Sequence, residues 1–167
     1  IDAVRETIMS HALDIIVAEG YDGFSMRKLG SRLNIAAKTI YNYFHSQDDL
    51  YLHLLIKGFD QLLDEFRRAA RSHDTSHARL DAMIRAYADF GLTHSNIYNL
   101  LFTWHVPKYN DYIGTPVEKT AEKQLNHALK CAGFFMQAMT DCLDSRPDGR
   151  TTDLLQQEMI HLWSQMH

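Results

Sequence analysis

Cysteine is scarce in this chain, and the chain lacks the long apolar runs that a membrane span needs. The two cysteines, Cys131 and Cys142, have no CxxC spacing and no further partner, which favours reduced, buried thiols over a disulfide framework. No apolar run approaches about 20 residues, and no signal peptide precedes the first periodic segment. We therefore expect a soluble protein of the cytoplasm.

Proline is also rare, and positive charge does not dominate. All three prolines lie at or beyond residue 107 and β-branched alternation is scarce, so helical spacing predicts an all-α fold. The formal net charge is −4 at pH 7, and the pI is near 6.2. This net charge excludes a surface that is basic throughout, so any DNA contact must come from a local basic patch.

Signatures of catalysis and of metal binding are missing too. The chain has no nucleophile elbow, no glycine-rich phosphate loop and no HExxH motif, so we do not expect an enzyme. His73 and His77 have the spacing of two ligands on one helix, but no acid or cysteine completes a zinc set. No metal and no cofactor is predicted.

Capping residues divide the chain into helices. Gly20 suits the end of the first helix, and Ser25 suits the start of the second. Ser46 with Asp49 forms a capping-box pattern, and Thr115 precedes a first-turn proline and a capping-box acid. Two further helices are expected between residues 77 and 104, and an amphipathic segment is expected after residue 151. The main helices are predicted over 3–19, 25–33, 37–44, 47–71 and 115–145.

The third of these helices has two chemically different faces. Ile40 and Phe44 are four residues apart and predict an inner face that packs on a small core. The remaining side chains can bond phosphate oxygens, neutralise a phosphate or read a base edge. They are Lys38, Thr39, Tyr41, Asn42 and Tyr43. Three short helices with a tight turn before the last one predict a helix-turn-helix.

Charge in this segment supports the same interpretation. Between Gly23 and Gln47 there is no aspartate or glutamate, although the chain as a whole is acidic. A segment of that length without acids is typical of a phosphate-facing surface. Its basic residues are Arg27, Lys28, Arg32 and Lys38.

The first third of the chain resembles the tetracycline-repressor (TetR) family in order and spacing of its motifs. The matching stretches read GYDGFSMRKL from residue 20, LNI from residue 33, KTIYNYF from residue 38 and DDL from residue 48. Two departures stand out. Gln47 replaces a usual lysine, which implies one weaker phosphate contact, and Gly30 replaces a usual alanine while still allowing a close helix crossing.

The resemblance implies roles for individual residues. Arg27 would touch DNA from the second helix, and Gln47 would stand at the edge of the interface. Thr39, Tyr41 and Tyr43 would bind the sugar-phosphate backbone of the DNA. The residues nearest the bases would be Ala37, Lys38 and Asn42.

The resemblance also implies an organisation for the whole chain. A helix-turn-helix DNA-binding domain is expected over 1–46, followed by a helical regulatory, ligand-binding and dimerisation domain over 47–167. We expect a further helix beyond residue 167. The implied function is that of a ligand-responsive regulator, with repression as the family's usual sign. As a homodimer it would bind a pseudo-palindromic double-stranded DNA operator.

Aromatic and aliphatic side chains of the body suggest where an unknown small-molecule effector would bind. An apolar cavity with a few polar groups is the usual build of such a site, although the same residues also suit an ordinary helical core. The candidate lining residues are Phe59, Leu63, Tyr87, Phe90, Leu101, Trp104, His105 and Phe135.

Two alternatives stay open at the level of sequence. A helical protein that binds a small molecule or partner could keep a non-functional DNA-binding module, which the negative net charge and Gln47 allow. A helical enzyme acting on a hydrophobic substrate would need a reactive side chain, and the sequence offers none.

Overall fold

The computed structural model describes residues 2–102 and 109–144, and every regular element in these ranges is helical. A 3₁₀ segment, Tyr109–Tyr112, precedes the last helix. The helices are α1 Asp2–Glu19, α2 Met26–Leu33, α3 Ala37–Tyr41, α4 Gln47–Arg71, α5 Ser76–Thr93, α6 Ser95–Phe102 and α7 Glu118–Asp144. The all-α prediction is confirmed for the described ranges.

The predicted caps explain several of these boundaries. Gly20 ends α1 with a φ of 77°, in the left-handed region that favours glycine. The Ser25 hydroxyl accepts a hydrogen bond of 3.2 Å from the Lys28 amide, which caps α2. The Ser46 hydroxyl likewise accepts from the Asp49 amide at 3.0 Å, so the predicted N-cap of α4 is confirmed.

Two predicted boundaries are wrong by a few residues. Helix α3 ends at Tyr41 instead of Phe44, because the amides of Asn42 and Tyr43 donate to carbonyls three residues back and so tighten the last turn. Helix α7 begins at Glu118 instead of Thr115. The Thr115 hydroxyl donates to the Tyr112 carbonyl at 2.7 Å and therefore does not cap the helix.

The predicted capping box is also wrong in its partner, because Glu118 accepts from the residue before Thr115 and not from Thr115 itself. The Glu118 carboxylate accepts a hydrogen bond of 3.0 Å from the amide of Gly114, which secures the entry into α7. The predicted amphipathic segment after residue 151 lies outside the described residues.

Two apolar cores are arranged along α4. The first lies around Ile16, Leu29 and Phe44 in the N-terminal helices and continues into the start of α4. It also includes residues from much later in the chain, namely Leu100, Tyr112, Val117 and Ala121. The second core lies between the later part of α4 and helices α5, α6 and α7. Helix α4, with 25 residues, therefore contributes to both cores.

The second core contains one of the two cysteines. Cys131 is fully buried there, and burial raises the pKa of its thiol to about 12. Cys142, near the end of α7, is buried as well. The prediction of buried thiols is confirmed for both. None of the helices described is both long and apolar enough to cross a lipid bilayer.

Candidate nucleic-acid interface

Helices α2 and α3 meet through a turn that passes close to Gly30. A Cβ atom on Gly30 would lie 2.8 Å from the Ile35 carbonyl oxygen and 3.1 Å from the Ala37 nitrogen. The Gly30 carbonyl accepts a hydrogen bond of 2.9 Å from the Ile35 amide. Asn34, with a φ of 55°, turns the chain out of α2. The backbones therefore touch directly, as a tight helix-turn-helix requires.

Helix α3 is held from beneath by two side chains. Ile40 and Phe44 are both almost fully buried in the first core, which confirms the predicted inner face. The start of the helix has no side-chain cap, because Ala36 occupies the N-cap position and offers no acceptor. The five-residue helix therefore depends on packing for its orientation.

The outer face of α3 carries the predicted DNA contacts. Four of these side chains are exposed, and Tyr41 is 49% accessible despite its size. Tyr43 is half-buried and packs against the first core. The exposed group consists of Lys38, Thr39, Tyr41 and Asn42.

The other three predicted contacts lie beside this face. Arg27 is exposed on α2, Ala37 is half-buried at the start of α3, and Gln47 is half-buried at the start of α4. All eight predicted residues thus belong to α2, α3, the following turn and the first residue of α4.

The basic residues of this segment are less available for binding phosphate than the sequence suggests. The Lys28 ammonium pairs with the Glu19 carboxylate and also donates to the Gly23 carbonyl at 2.8 Å. The Arg32 guanidinium lies 3.4 Å from the Asp14 carboxylate. Both acids come from α1, outside the acid-free segment. Two of the four cations are therefore paired within the protein.

Arg27 and Lys38 differ from these two. Within residues 2–102 and 109–144, neither has a carboxylate at ion-pair distance. Both side chains are exposed, so the positive charge available for phosphate is concentrated on them.

One residue that the sequence analysis missed contacts the chain directly after α3. Arg5, on α1, donates a hydrogen bond to the Tyr43 carbonyl. Its guanidinium also lies over the Phe44 ring, with 4.3 Å between the guanidinium carbon and the ring centroid. The contact joins residues 38 positions apart, and no local sequence pattern indicates it.

A buried carboxylate lies just behind the interface. Asp49 is 3% exposed and accepts hydrogen bonds from the His45 amide at 2.9 Å and the Thr120 hydroxyl at 3.0 Å. The His53 ring nitrogen is 3.4 Å from the same carboxylate. Burial raises the pKa of Asp49, but these partners outweigh it and lower the pKa to about 2. Asp49 is therefore a carboxylate at neutral pH.

The preceding acid makes a second connection at the same level. The Tyr21 hydroxyl, in the turn after α1, donates to the Asp48 carboxylate. Its ring lies edge-on to Tyr51, with 4.8 Å between the ring centroids. Burial, with a further contribution from Asp48, raises the pKa of Tyr21 above its usual value, and burial raises the pKa of Tyr112 to about 12. Tyr51 and Tyr112 both lie in the first core, with Tyr21 packed against it, so this core reaches the segment that precedes α7.

The predicted effector-binding residues gather in one place. Phe59, Leu63 and Phe90 are buried in the second core. The partly buried members that pack on it are Tyr87, Leu101 and Phe135. Trp104 and His105 lie outside the described residues.

One polar pair and one cavity lie at this core in the part of the chain that the structure describes. The Tyr87 and Tyr98 hydroxyls lie 3.1 Å apart and bond to each other. Burial raises the pKa of Tyr87 above its usual value. A cavity of about 130 Å³ lies nearby, lined in part by Met83, Phe134 and Arg79. None of the six described effector candidates lines it.

Metal-ligating side chains do not converge in the part of the chain that the structure describes. No group of three or more histidine, cysteine, aspartate or glutamate residues comes together there. His73 and His77 lie on opposite sides of Thr75, the residue that caps α5.

Comparison with known proteins gives a family. The model of "Bacterial regulatory proteins, tetR family" matches residues 8–54, which span most of α1, all of α2 and α3, and the first turns of α4. The HTH-type transcriptional activator FasR of Mycolicibacterium smegmatis is 30% identical over 133 residues, which make up 80% of this chain and 58% of that protein. The HTH-type transcriptional repressor KstR of the same organism is 31% identical over 80 residues, 48% of this chain and 39% of that protein.

The fold is similar to that of a solved protein. A solved TetR-family transcriptional regulator from Bordetella parapertussis matches with a TM-score of 0.73 at 16% sequence identity, over 99% of this chain and 81% of that one. The chain spans well under two thirds of the length of the activator and the repressor. From its sequence match, the N-terminal segment over residues 8–54 belongs to the tetR family of bacterial regulatory proteins.

Proposed function

We propose that this protein is a ligand-responsive transcriptional regulator without enzymatic activity, and that it binds DNA through α3 as a homodimer. The observation that carries this proposal is the division of α3 between buried anchors and an exposed polar face. Ile40 and Phe44 hold the helix, while Lys38, Thr39 and Asn42 face outward. Such a helix suits a major groove, where side chains read base edges and phosphates.

A dimer follows from the small reading surface of one copy. Two copies related by a two-fold axis would place their recognition helices about 34–36 Å apart and read a pseudo-palindrome. We propose residues 1–46 as the DNA-binding domain and residues 47–167 as the regulatory and dimerisation domain. A regulator of this kind acts where the chromosome lies, in the bacterial cytoplasm.

The second core is the proposed effector site. Phe59, Tyr87 and Phe135 supply apolar surface, and the paired hydroxyls of Tyr87 and Tyr98 supply a polar group. An effector that favours one arrangement of this core would change the tilt of α4 and with it the spacing of the recognition helices. A coupling free energy of about 1–3 kcal/mol would change operator affinity roughly 5- to 150-fold.

The direct test is selection of bound duplexes from a random DNA pool, followed by thermal-shift screening of small molecules with the selected duplex absent and present. We expect an enriched pseudo-palindrome and at least one compound that raises the melting temperature and lowers duplex affinity. A reporter behind the selected operator then gives the sign. We expect expression to fall when the protein is present. A rise would instead assign activation, the activity in the name of the relative FasR.

The second candidate function is a small-molecule or partner-binding protein with an inactive DNA-binding module. The pairing of Lys28 and Arg32 with acids of α1 favours it, because it reduces the positive charge available to phosphate. Binding to random duplex at low and high salt separates the two. An inactive module would give almost no salt-dependent binding, whereas a DNA reader binds nonspecifically at low salt.

A further inference from the structure

Helix α3 is poorly secured by its own sequence. It has five residues, and Ala36 at its N-cap provides no side-chain hydrogen bond. At the other end, the backbone of Asn42 has a right-handed helical conformation, so the left-handed residue that often ends a helix is absent there. A short helix of this kind leaves carbonyl groups without intrahelical partners. Its orientation must therefore be fixed by groups from other helices.

Arg5 provides such a group from α1. Its guanidinium donates to the Tyr43 carbonyl and covers the Phe44 ring at 4.3 Å. A cation is favourable at this end of a helix, where the carbonyl dipoles are negative, and a planar guanidinium can stack on an aromatic ring. The hydrogen bond thus acts on Tyr43, a predicted DNA contact, and the ring contact acts on Phe44 directly after it.

The surroundings leave this side chain no competing charge partner. Among the described residues, no carboxylate lies at ion-pair distance from Arg5. Arg5 lines a groove of about 390 Å³ between α1 and α4 together with Glu6, Lys57 and Asp60. The Glu6 carboxylate pairs with Lys57, and Asp60 contacts His127 at 2.6 Å. The guanidinium is thus committed to the recognition helix.

We propose that Arg5 is a positioning residue for DNA binding: it holds the Tyr43 backbone so that the Tyr43 hydroxyl meets a phosphate. The inference rests on the proposed function, since it assumes that α3 binds DNA. It differs from a direct phosphate contact by Arg5 itself. In the direct case the arginine charge would displace a counterion, whereas a positioning arginine changes affinity without changing the number of counterions released.

The salt dependence of binding makes that distinction measurable. Fluorescence anisotropy of a labelled random-sequence duplex would be recorded over a series of salt concentrations for the wild type, Arg5→Gln and Arg5→Lys. For Arg5→Gln we expect about tenfold weaker binding with the slope of log K against log salt unchanged. Arg5→Lys should fall between, because lysine can donate to the carbonyl but cannot stack as a planar group.

Two controls keep the result interpretable. Arg85→Gln removes an exposed arginine of α5 that pairs with Asp81, and it should leave both affinity and slope as in the wild type. Tyr43→Phe and the double variant Arg5→Gln, Tyr43→Phe complete a double-mutant cycle. If Arg5 acts through Tyr43, the loss caused by Arg5→Gln should be smaller when the Tyr43 hydroxyl is already absent. Circular dichroism checks that each variant is folded at the assay temperature.

The outcomes separate the two proposals. A slope reduced by about 0.9 in Arg5→Gln would assign a direct phosphate contact and overturn the positioning role. Unchanged affinity in Arg5→Gln, or full additivity in the cycle, would overturn it as well. Absence of duplex binding by the wild type would overturn the proposed function, and the role of Arg5 with it. If Arg5→Gln does not fold, the double-mutant cycle is run with Arg5→Lys instead, and an equal loss of affinity with and without the Tyr43 hydroxyl would overturn the positioning role.

Discussion

The hydroxyl of Thr120 donates a hydrogen bond to the Asp49 carboxylate, with 3.0 Å between the two oxygen atoms. Thr120 lies in the first turn of α7, and Asp49 lies in the first turn of α4. The other carboxylate oxygen accepts from the amide of His45, directly after the helix-turn-helix. One buried acid therefore connects the DNA-binding segment with the body.

Replacing this acid by its amide should destabilise the protein. Asp49→Asn can keep both neighbours only if its oxygen accepts from the His45 amide and its NH₂ group donates to the Thr120 hydroxyl, and it loses the negative charge. We expect a loss of about 2 kcal/mol in the free energy of unfolding, because hydrogen bonds to a charged acceptor are stronger than those to a neutral one. Urea denaturation measures it. Asp64→Asn, at an exposed position of the same helix, should stay within about 0.5 kcal/mol of the wild type.

Acid should weaken the fold through the same residue. The pKa of Asp49 is lowered from its usual 3.8 to about 2, so the charged form is favoured in the folded state. Its contribution to stability is fully present above about pH 5 and is lost as the pH falls from about 4 towards 2, amounting to about 2 kcal/mol. Urea unfolding at pH 5.5 and about 2.5 measures this. An equal pH effect in wild type and Asp49→Asn would contradict the assignment.

A side chain that caps α3 should stabilise the recognition helix. Ala36 occupies the N-cap position with extended backbone angles, φ −66° and ψ 139°, and makes no cap bond. Ala36→Ser supplies a hydroxyl that can accept from the free amides of the first turn, and we expect a gain of about 1 kcal/mol. Thermal unfolding with Ala36→Val as the control measures it, because valine adds bulk without an acceptor. Equal stability of the serine and valine variants would argue against capping.

Charge removal should distinguish the cations of the interface. Lys38→Gln and Arg27→Gln should each lower the salt-dependence slope of duplex binding by about 0.9, since each removes one phosphate contact. Lys28→Gln should change it much less, because the Lys28 ammonium already pairs with Glu19. Anisotropy titrations over a salt series measure all three. A slope change for Lys28→Gln as large as that for Lys38→Gln would show that the Glu19 pair breaks on binding.

The two helical glycines Gly30 and Gly133 should respond oppositely to the same substitution. A Cβ on Gly133 meets no atom within 4 Å, so Gly133→Ala should stabilise α7 by about 1 kcal/mol. A Cβ on Gly30 would lie 2.8 Å from the Ile35 carbonyl oxygen, and the resulting overpacking should outweigh the helix propensity and cost about 1 kcal/mol net. Chemical denaturation measures both. A gain in stability for Gly30→Ala would show that the turn can move outward.

Local chemistry explains which parts of the fold could be predicted from the sequence. Ser25, Ser46 and Gly20 act on backbone groups within three or four residues of themselves, so their patterns are visible in the chain. The buried face of α3 follows equally from the four-residue spacing of Ile40 and Phe44. These features needed only helical geometry.

The remaining features depend on contacts between distant segments. The end of α3 at Tyr41 lies beside a contact from α1, since Arg5 donates to the Tyr43 carbonyl. The pairing of Lys28 with Glu19 likewise crosses from one helix to another. The DNA contacts and the effector-binding residues remain predictions, since they concern molecules that bind to the protein.

The first core has a consequence for how the DNA-binding segment can be handled. Tyr112, Val117 and Ala121 complete the same apolar interior as Ile16 and Phe44. A fragment cut after residue 46 would lose these side chains and expose the surfaces they cover. The DNA-binding segment therefore shares its interior with side chains of residues 112–121. A change that loosens this later segment would directly disturb the packing beneath α3.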